Sequence, residues 1–295
     1  MSAPQNTRLG IWLMIASCAI FAIQDGISRH LGEAVNIYMV VMIRFWFFAV
    51  FVTLLAARAP GGLRAASRSA YPLLQALRGI LLVGEICVMV IAFIKLGLIE
   101  THAVFVCYPL LVTLFSGPIL GEQVGWRRWL AVLAGFGGVL IILNPGGGIF
   151  SLWSLVPFLG AAMFALYGLL TRYVSRKDSA QVSFFWTGMM GALAITPFGL
   201  THWQGMSAGN WGLMAILCCS AVLAHWLLIK AYDVAEAADI QPFAYFQLPF
   251  VSLLGLVLFN ENLRMNVVIG AAIVVAAGLF TLWRQRMRQK QITGG

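Results

Sequence analysis

Phe21-Ala22-Ile23-Gln24-Asp25-Gly26-Ile27-Ser28-Arg29 aligns with Phe164-Ala165-Leu166-Tyr167-Gly168-Leu169-Leu170-Thr171-Arg172 at a constant offset of 143. Two further correspondences follow in the same order. Ile94-Lys95 matches Ile229-Lys230 at offset 135, and Pro109 followed by Gly121-Glu122 matches Pro249 followed by Asn260-Glu261 at offsets 139–140. The offsets differ only by loop-sized amounts, so the chain reads as a duplication. Around the matched stretches, hydropathy marks ten apolar segments: 9–28, 36–57, 72–95, 101–120, 126–143, 152–171, 182–200, 210–230, 240–259 and 266–283. Each is close to the roughly 20 residues that cross a hydrocarbon core of about 30 Å. Five segments per half is an odd number, so the second half starts from the opposite side. The expected fold is an all-α membrane protein of ten transmembrane helices in two inverted five-helix repeats. The first repeat is 1–143, the second 144–290, and 291–295 is a tail.

Composition agrees. Of 295 residues 61% are apolar and 10% charged, with mean hydropathy +0.90; a soluble domain is nearer half apolar and a quarter charged. The first segment is read as a span, because its apolar core is long and Ile20-Phe21-Ala22 is a poor cleavage site. The net charge of +9 is a topology signal and not a nucleic-acid patch. With an inside N-terminus, fourteen of the nineteen Lys and Arg fall in internal segments and three (Arg29, Lys95, Arg264) outside; Arg44 and Arg78 lie within spans. Cytoplasmic loops carry such an excess, so both termini are expected in the cytoplasm. The five cysteines all lie in predicted spans and read as packing residues, with no metal-ligand spacing. Neither a cofactor nor a metal is expected.

Ionisable groups at membrane depth are candidates for function. Glu85 sits about 21 Å into its span and Arg44 about 12 Å, at 1.5 Å per residue. Glu85 either pairs with Arg44 or Arg78, or meets a substrate. Arg78, about 9 Å deep, is expected to snorkel to the interface. His102 and His225 either relay protons or bond a nearby carbonyl. Asp25 and Arg29 are one helical turn apart and are expected to pair locally. Gln24 and Tyr167 occupy equivalent repeat positions. Pro242 and Pro249 flank Tyr245 and Gln247 in the ninth span and disrupt its backbone ladder; Tyr108-Pro109 is the equivalent break in the fourth. Interruptions at matching positions of two halves point to a binding site. Candidate substrate-binding residues are therefore Gln24, Arg44, Glu85, Phe105, Tyr108, Tyr167, His225, Tyr245 and Gln247, with Pro109 and Pro249 as hinges. The small-residue stripes Gly135-Phe136-Gly137-Gly138 and Gly270-Ala271-Ala272 are expected to let helices approach closely. Asn144–Gly148 lacks the Gly-Lys-Ser/Thr ending of a phosphate loop and reads as a turn.

Arg78-Gly79, Cys107-Tyr108-Pro109-Leu110, the run Leu120–Trp129, Gly135–Val139 and Asn144-Pro145-Gly146 resemble the EamA family of the drug/metabolite transporter superfamily. So do Pro242–Tyr245, Gln247-Leu248-Pro249 and Phe259-Asn260-Glu261 in the second half. The resemblance implies ten helices, an inverted five-plus-five repeat, a bacterial inner membrane and solute transport without ATP. Within the family the chain looks most like aromatic amino acid exporters. Lys95 departs from the small apolar residue usual at its position.

The expected activity is export of amino acids, aromatic and other neutral ones, by alternating access. Alternatives are a carrier for another small metabolite (a vitamin or nucleoside-like compound) and, more remotely, an intramembrane enzyme. The partners expected are a small-molecule substrate and the bilayer. Cysteine accessibility tagging is expected to place residues 58–70, 121–127, 172–181 and both termini in the cytoplasm; Pro145 labelled from the same side as Arg127 would refute ten spans.

Overall fold

The computed structural model describes residues 6–121, 125–143, 152–235 and 240–293. Glu122 and the Asn144–Gly148 turn lie outside them. The described helices are α1 (Thr7–Ala34), α2 (Ile37–Arg58), α3 (Gly62–Ser67), α4 (Pro72–Leu96), α5 (Leu98–Phe105), α6 (Tyr108–Leu120) and α7 (Trp126–Leu143). They continue as α8 (Val156–Val174), α9 (Ala180–Thr201), α10 (Ala208–Val234), α11 (Gln247–Leu258) and α12 (Met265–Thr293). Among the described residues nine helical stretches are long and apolar enough to cross a membrane, α5 and α6 together forming one; Phe243–Leu258 is a shorter apolar stretch. Ten crossings result, and large apolar side chains such as Trp12, Leu73, Leu133 and Val257 project outward as a lipid-facing surface requires.

Local chemistry sets the helix ends. Asn6, Asn36, Ser179 and Ser207 cap α1, α2, α9 and α10 by accepting a backbone N–H in the first turn. Gly97 at φ 88° separates α4 from α5, a left-handed backbone that favours glycine. The fourth crossing breaks between Phe105 and Tyr108, where Pro109 opens α6. In the ninth, a 3-10 segment over Gln241–Phe246 gives way to α11, with Pro249 in its first turn.

Helix pairing follows the repeat. α1 packs on α10 as α8 packs on α4; α1 on α11 as α8 on α6; α2 meets α9 and α7 meets α12. Exchanging the halves maps this set onto itself. The α7–α12 contact uses the glycine stripes: a Cβ on Gly138 would lie 2.7 Å from the Gly270 carbonyl oxygen and 3.1 Å from Ile273.

Polar knots join the two halves at each end. At one end Asp178, in the α8–α9 turn, accepts from the Ser69 hydroxyl, the Ala70 N–H at 2.7 Å and Gln75 Nε2 at 2.8 Å. Gln75 also donates to Ser183, and Arg78 binds Gln75 and, at 2.9 Å, Thr171. Arg78 is 2% exposed, so it does not snorkel as expected: Thr171 and Gln75 supply inside the protein what interface water would have supplied. At the other end Arg29 pairs with Glu33 and Glu261, and Arg264 with Glu100. Arg29 therefore does not pair with Asp25; the loop after α11 brings a stronger partner to the same turn. Loops expected on one side of the membrane meet one another in both knots.

Burial raises the Asp178 carboxyl pKa, but the hydrogen bonds from Ser69, Gln75 and Ala70 and the charge of Arg78 outweigh it and hold it below the ordinary value. A depressed carboxylate contributes stability above its unfolded pKa of about 3.9, lost as pH falls through the folded value. Asp178→Asn is therefore expected to lower the melting temperature at neutral pH, with the gap to the native protein closing below about pH 4. A gap that persists into acid would show that the carboxylate charge is not what the knot uses.

Candidate functional site

The ninth crossing packs on α1 and the fourth reaches it through His102, and the expected site residues gather in two adjoining groups. The first is polar. Arg44 on α2 donates from Nη2 to Gln24 Oε1 on α1 at 3.1 Å. Asp25, the next residue, accepts from Gln247 Nε2 at 3.1 Å, at the start of α11, and contacts His102 Nε2 at 3.0 Å on α5. Glu85 on α4 is 6% exposed; its ties to Asp25 and Arg44 are electrostatic, not hydrogen bonds. The expected ion pair of Glu85 with Arg78 does not form, because Arg78 is spent on Thr171, Gln75 and the face of the Tyr167 ring, 5.0 Å from its guanidinium carbon. The Gln24 amide nitrogen is buried and has no hydrogen-bond partner among the described residues.

The second group is a wall of rings across the fourth-crossing break. Phe105 and Tyr108 lie 5.5 Å apart, and Phe164 on α8 stands 5.5 Å from Phe105 and edge-on to Tyr108 at 4.9 Å. Tyr167 follows one turn on, 6.1 Å from Phe164. His102, 6.2 Å from Phe105, joins the wall to the polar group.

Three expected residues stand at the margin. Tyr245 presses its phenol against Gly278 of α12, and its buried hydroxyl lacks a hydrogen-bond partner among the described residues. His225 bonds the Ala221 carbonyl at 2.8 Å and sits edge-on to Phe21 at 5.2 Å. It joins neither Gln24 nor Arg44 by a hydrogen bond. Pro249, 3 residues past the Phe246–Gln247 junction, is exposed.

The sequence reading assigns no role here to Phe164 or Glu261, pairs Asp25 with Arg29, and offers His102 only as a proton relay or a carbonyl-bonded residue. Phe164 opens the repeated stretch itself, where its counterpart Phe21 also packs a ring, so the duplication carried a usable signal. Glu261 bonds the backbone N–H groups of Leu98 and Ile99 at 2.6 and 2.9 Å, a long-range contact that no local pattern encodes.

Ten lipid-facing crossings, two of them broken at matched positions around a polar interior, define a secondary membrane transporter. The chain belongs to the EamA-like transporter family, whose profile matches residues 8–144 and again 151–283. It is 25% identical over 277 residues to the S-adenosylmethionine uptake transporter of Rickettsia prowazekii, covering 94% of this chain and 93% of that one. It is 36% identical over 196 residues to the riboflavin transporter of Vibrio cholerae, covering 64% of each, and 27% identical over 281 residues to that of Brucella anthropi, covering 91% and 96%. A solved structure at 20% identity superposes with a TM-score of 0.60 over 95% of this chain and 98% of its own, and supports the fold. These relatives are named as S-adenosylmethionine and riboflavin transporters, not as the aromatic amino acid exporters that the sequence resemblance suggests.

Arg44 faces the carboxylates of Asp25 and Glu85. Breaking a buried charge set by removing one member costs about 3–5 kcal/mol. Arg44→Gln is expected to lower the melting temperature in detergent sharply, and adding Glu85→Gln to recover part of the loss. No recovery in the double variant would separate Glu85 from Arg44.

Proposed function

We propose that the chain is an alternating-access carrier for a flat, nitrogen-rich metabolite of the vitamin or nucleoside-like class. The observation that carries this is the ring wall of Phe105, Tyr108, Phe164 and Tyr167, running into a polar group that holds an unpartnered amide at Gln24. A heteroaromatic ring stacks on such a wall, and its ring nitrogens or carbonyls take hydrogen bonds from Gln24. Glu85 suits a cationic portion of the substrate. Riboflavin and S-adenosylmethionine both combine a flat nitrogenous ring with a polar chain, and the names of the relatives put them first for testing.

In this reading the halves 1–143 and 144–290 rock against each other around the breaks at Pro109 and Pro249. The chain sits in a bacterial inner membrane with both termini in the cytoplasm. The Arg29–Glu261 end then faces outward.

The test is flux of labelled riboflavin, S-adenosylmethionine and a panel of amino acids into proteoliposomes. Transport of one of the first two is expected; transport of amino acids alone would overturn the assignment. Phe164→Ala removes the central ring, and loss of one stacking partner, worth about 1–3 kcal/mol, should weaken substrate affinity roughly 5- to 150-fold. Glu85→Gln should shrink the substrate's protection against unfolding, which follows RT ln(1 + [L]/Kd), for a cationic substrate. Unchanged protection there would remove Glu85 from the site.

A further inference from the structure

His102 lies between two hydrogen-bond acceptors. Its Nδ1 is 3.1 Å from the Leu98 carbonyl oxygen and its Nε2 is 3.0 Å from Oδ2 of Asp25. A carbonyl only accepts, so Nδ1 must carry the hydrogen of that bond. A neutral imidazole has a single N–H, and the Leu98 contact uses it. Nε2 then has nothing to give the carboxylate. Two arrangements satisfy both contacts: an imidazolium facing ionised Asp25, or a neutral ring accepting from protonated Asp25. Each holds one proton more than a neutral histidine beside an ionised aspartate.

The surroundings keep the ring in this orientation. Phe93 of α4 stacks flat on it at 5.1 Å and 3°, and Gln247 of α11 donates to the same Oδ2 of Asp25. The charged groups that face the pair are Arg44 from α2 and Glu85 from α4, both in electrostatic range of Asp25. Arg29 and Glu261 stand at the outer end of α1 and α5, and His225 on α10 lies behind Arg44. With Glu85 ionised, the extra proton makes the Asp25–His102 pair neutral and leaves Arg44 to balance Glu85; without it the interior holds one negative charge in excess, in a region where charge is expensive.

The pair also sits where it can act on the fold. α1 grips α5 at two points: Asp25 on His102, and Arg29 through Glu261, which holds the Leu98 and Ile99 N–H groups. When the proton leaves, His102 can keep only one of its two bonds, so either α1 loosens from α5 or the ring leaves the Leu98 carbonyl.

We propose that Asp25 and His102 form the proton-binding site of a proton-coupled carrier, one that takes a proton from solution on one side and gives it up on the other as α1 releases α5. The coupling to a substrate rests on the carrier reading above; the extra proton is read from the hydrogen-bond geometry alone.

The test uses the purified full chain in proteoliposomes, with riboflavin and S-adenosylmethionine as probes. A pH difference of one unit across the vesicle is expected to drive accumulation of neutral riboflavin on the order of tenfold, the ratio of proton activities. Asp25→Asn should abolish that accumulation. Wild-type flux indifferent to the pH difference, or accumulation retained in Asp25→Asn, overturns the proposal and leaves the carrier reading intact. A second measurement needs no substrate. A proton held by the folded pair contributes stability at low pH that is lost as pH rises. The melting-temperature difference between wild type and Asp25→Asn is therefore expected to shrink as pH rises; a difference independent of pH overturns the proposal. No flux with either probe, together with a shrinking difference, would sink the proposed substrates and keep the proton site. Should Asp25→Asn fail to fold, His102→Gln, which retains a donor to Asp25 but does not titrate, serves the same comparisons.

Discussion

A hydrocarbon interior offers no hydrogen bonds, and every backbone group released by a broken helix must find a partner within the protein. The rest of this structure depends on how that demand is met at two places. In the fourth crossing the chain tightens before it breaks: the Cys107 N–H turns back to the Val104 carbonyl at 3.1 Å, and the Cys107 carbonyl then receives Leu110 and Leu111. In the ninth, the Cys18 thiol of α1 reaches the carbonyls of Phe243 and Ala244 at 3.7 and 3.6 Å. The ninth break is therefore tied to the very helix that carries Gln24 and Asp25.

The same economy explains the ends of the molecule. Glu261 receives two backbone N–H groups at the start of α5 and faces Arg29, so one carboxylate caps a helix and joins first half to second. Asp178 does the equivalent work before α4 from the other half, through Ser69, Ala70 and Gln75. Both knots cross between repeats, and neither lies within one. Association of the halves is held at the rims by charge-assisted bonds and through the middle by close glycine contacts and rings.

The fold was largely legible in the sequence because its determinants are local. Ten apolar runs and the two proline breaks each act within a window of about twenty-five residues or fewer, and the Lys and Arg asymmetry is a simple count over the loops between them. The site was legible only in part. Gln24, Arg44, Phe105, Tyr108 and Tyr167 could be named because depth in a span and repeat position are readable from spacing. Their partners could not. Asp25 was assigned to Arg29 because i and i+4 neighbours are the only pairs a sequence displays; in space each finds a partner on another helix, 77 residues on for Asp25 and 232 for Arg29. Depth alone sends Arg78 to the interface for a similar reason, since the Thr171 hydroxyl that receives it comes from the other repeat. Polar pairing across a duplicated fold depends on which helices meet, and that is decided by the whole bundle.

The first crossing is also longer than a bilayer core is thick, and the bilayer will register it. At 1.5 Å per residue the 28-residue α1 measures about 42 Å, against a hydrocarbon core of about 30 Å. Tilt keeps more of such a helix within the core, and a thinner bilayer asks for more tilt. Acyl-chain length then acts as a lever on the angle between the helix that carries the interior charges and the rest of the bundle.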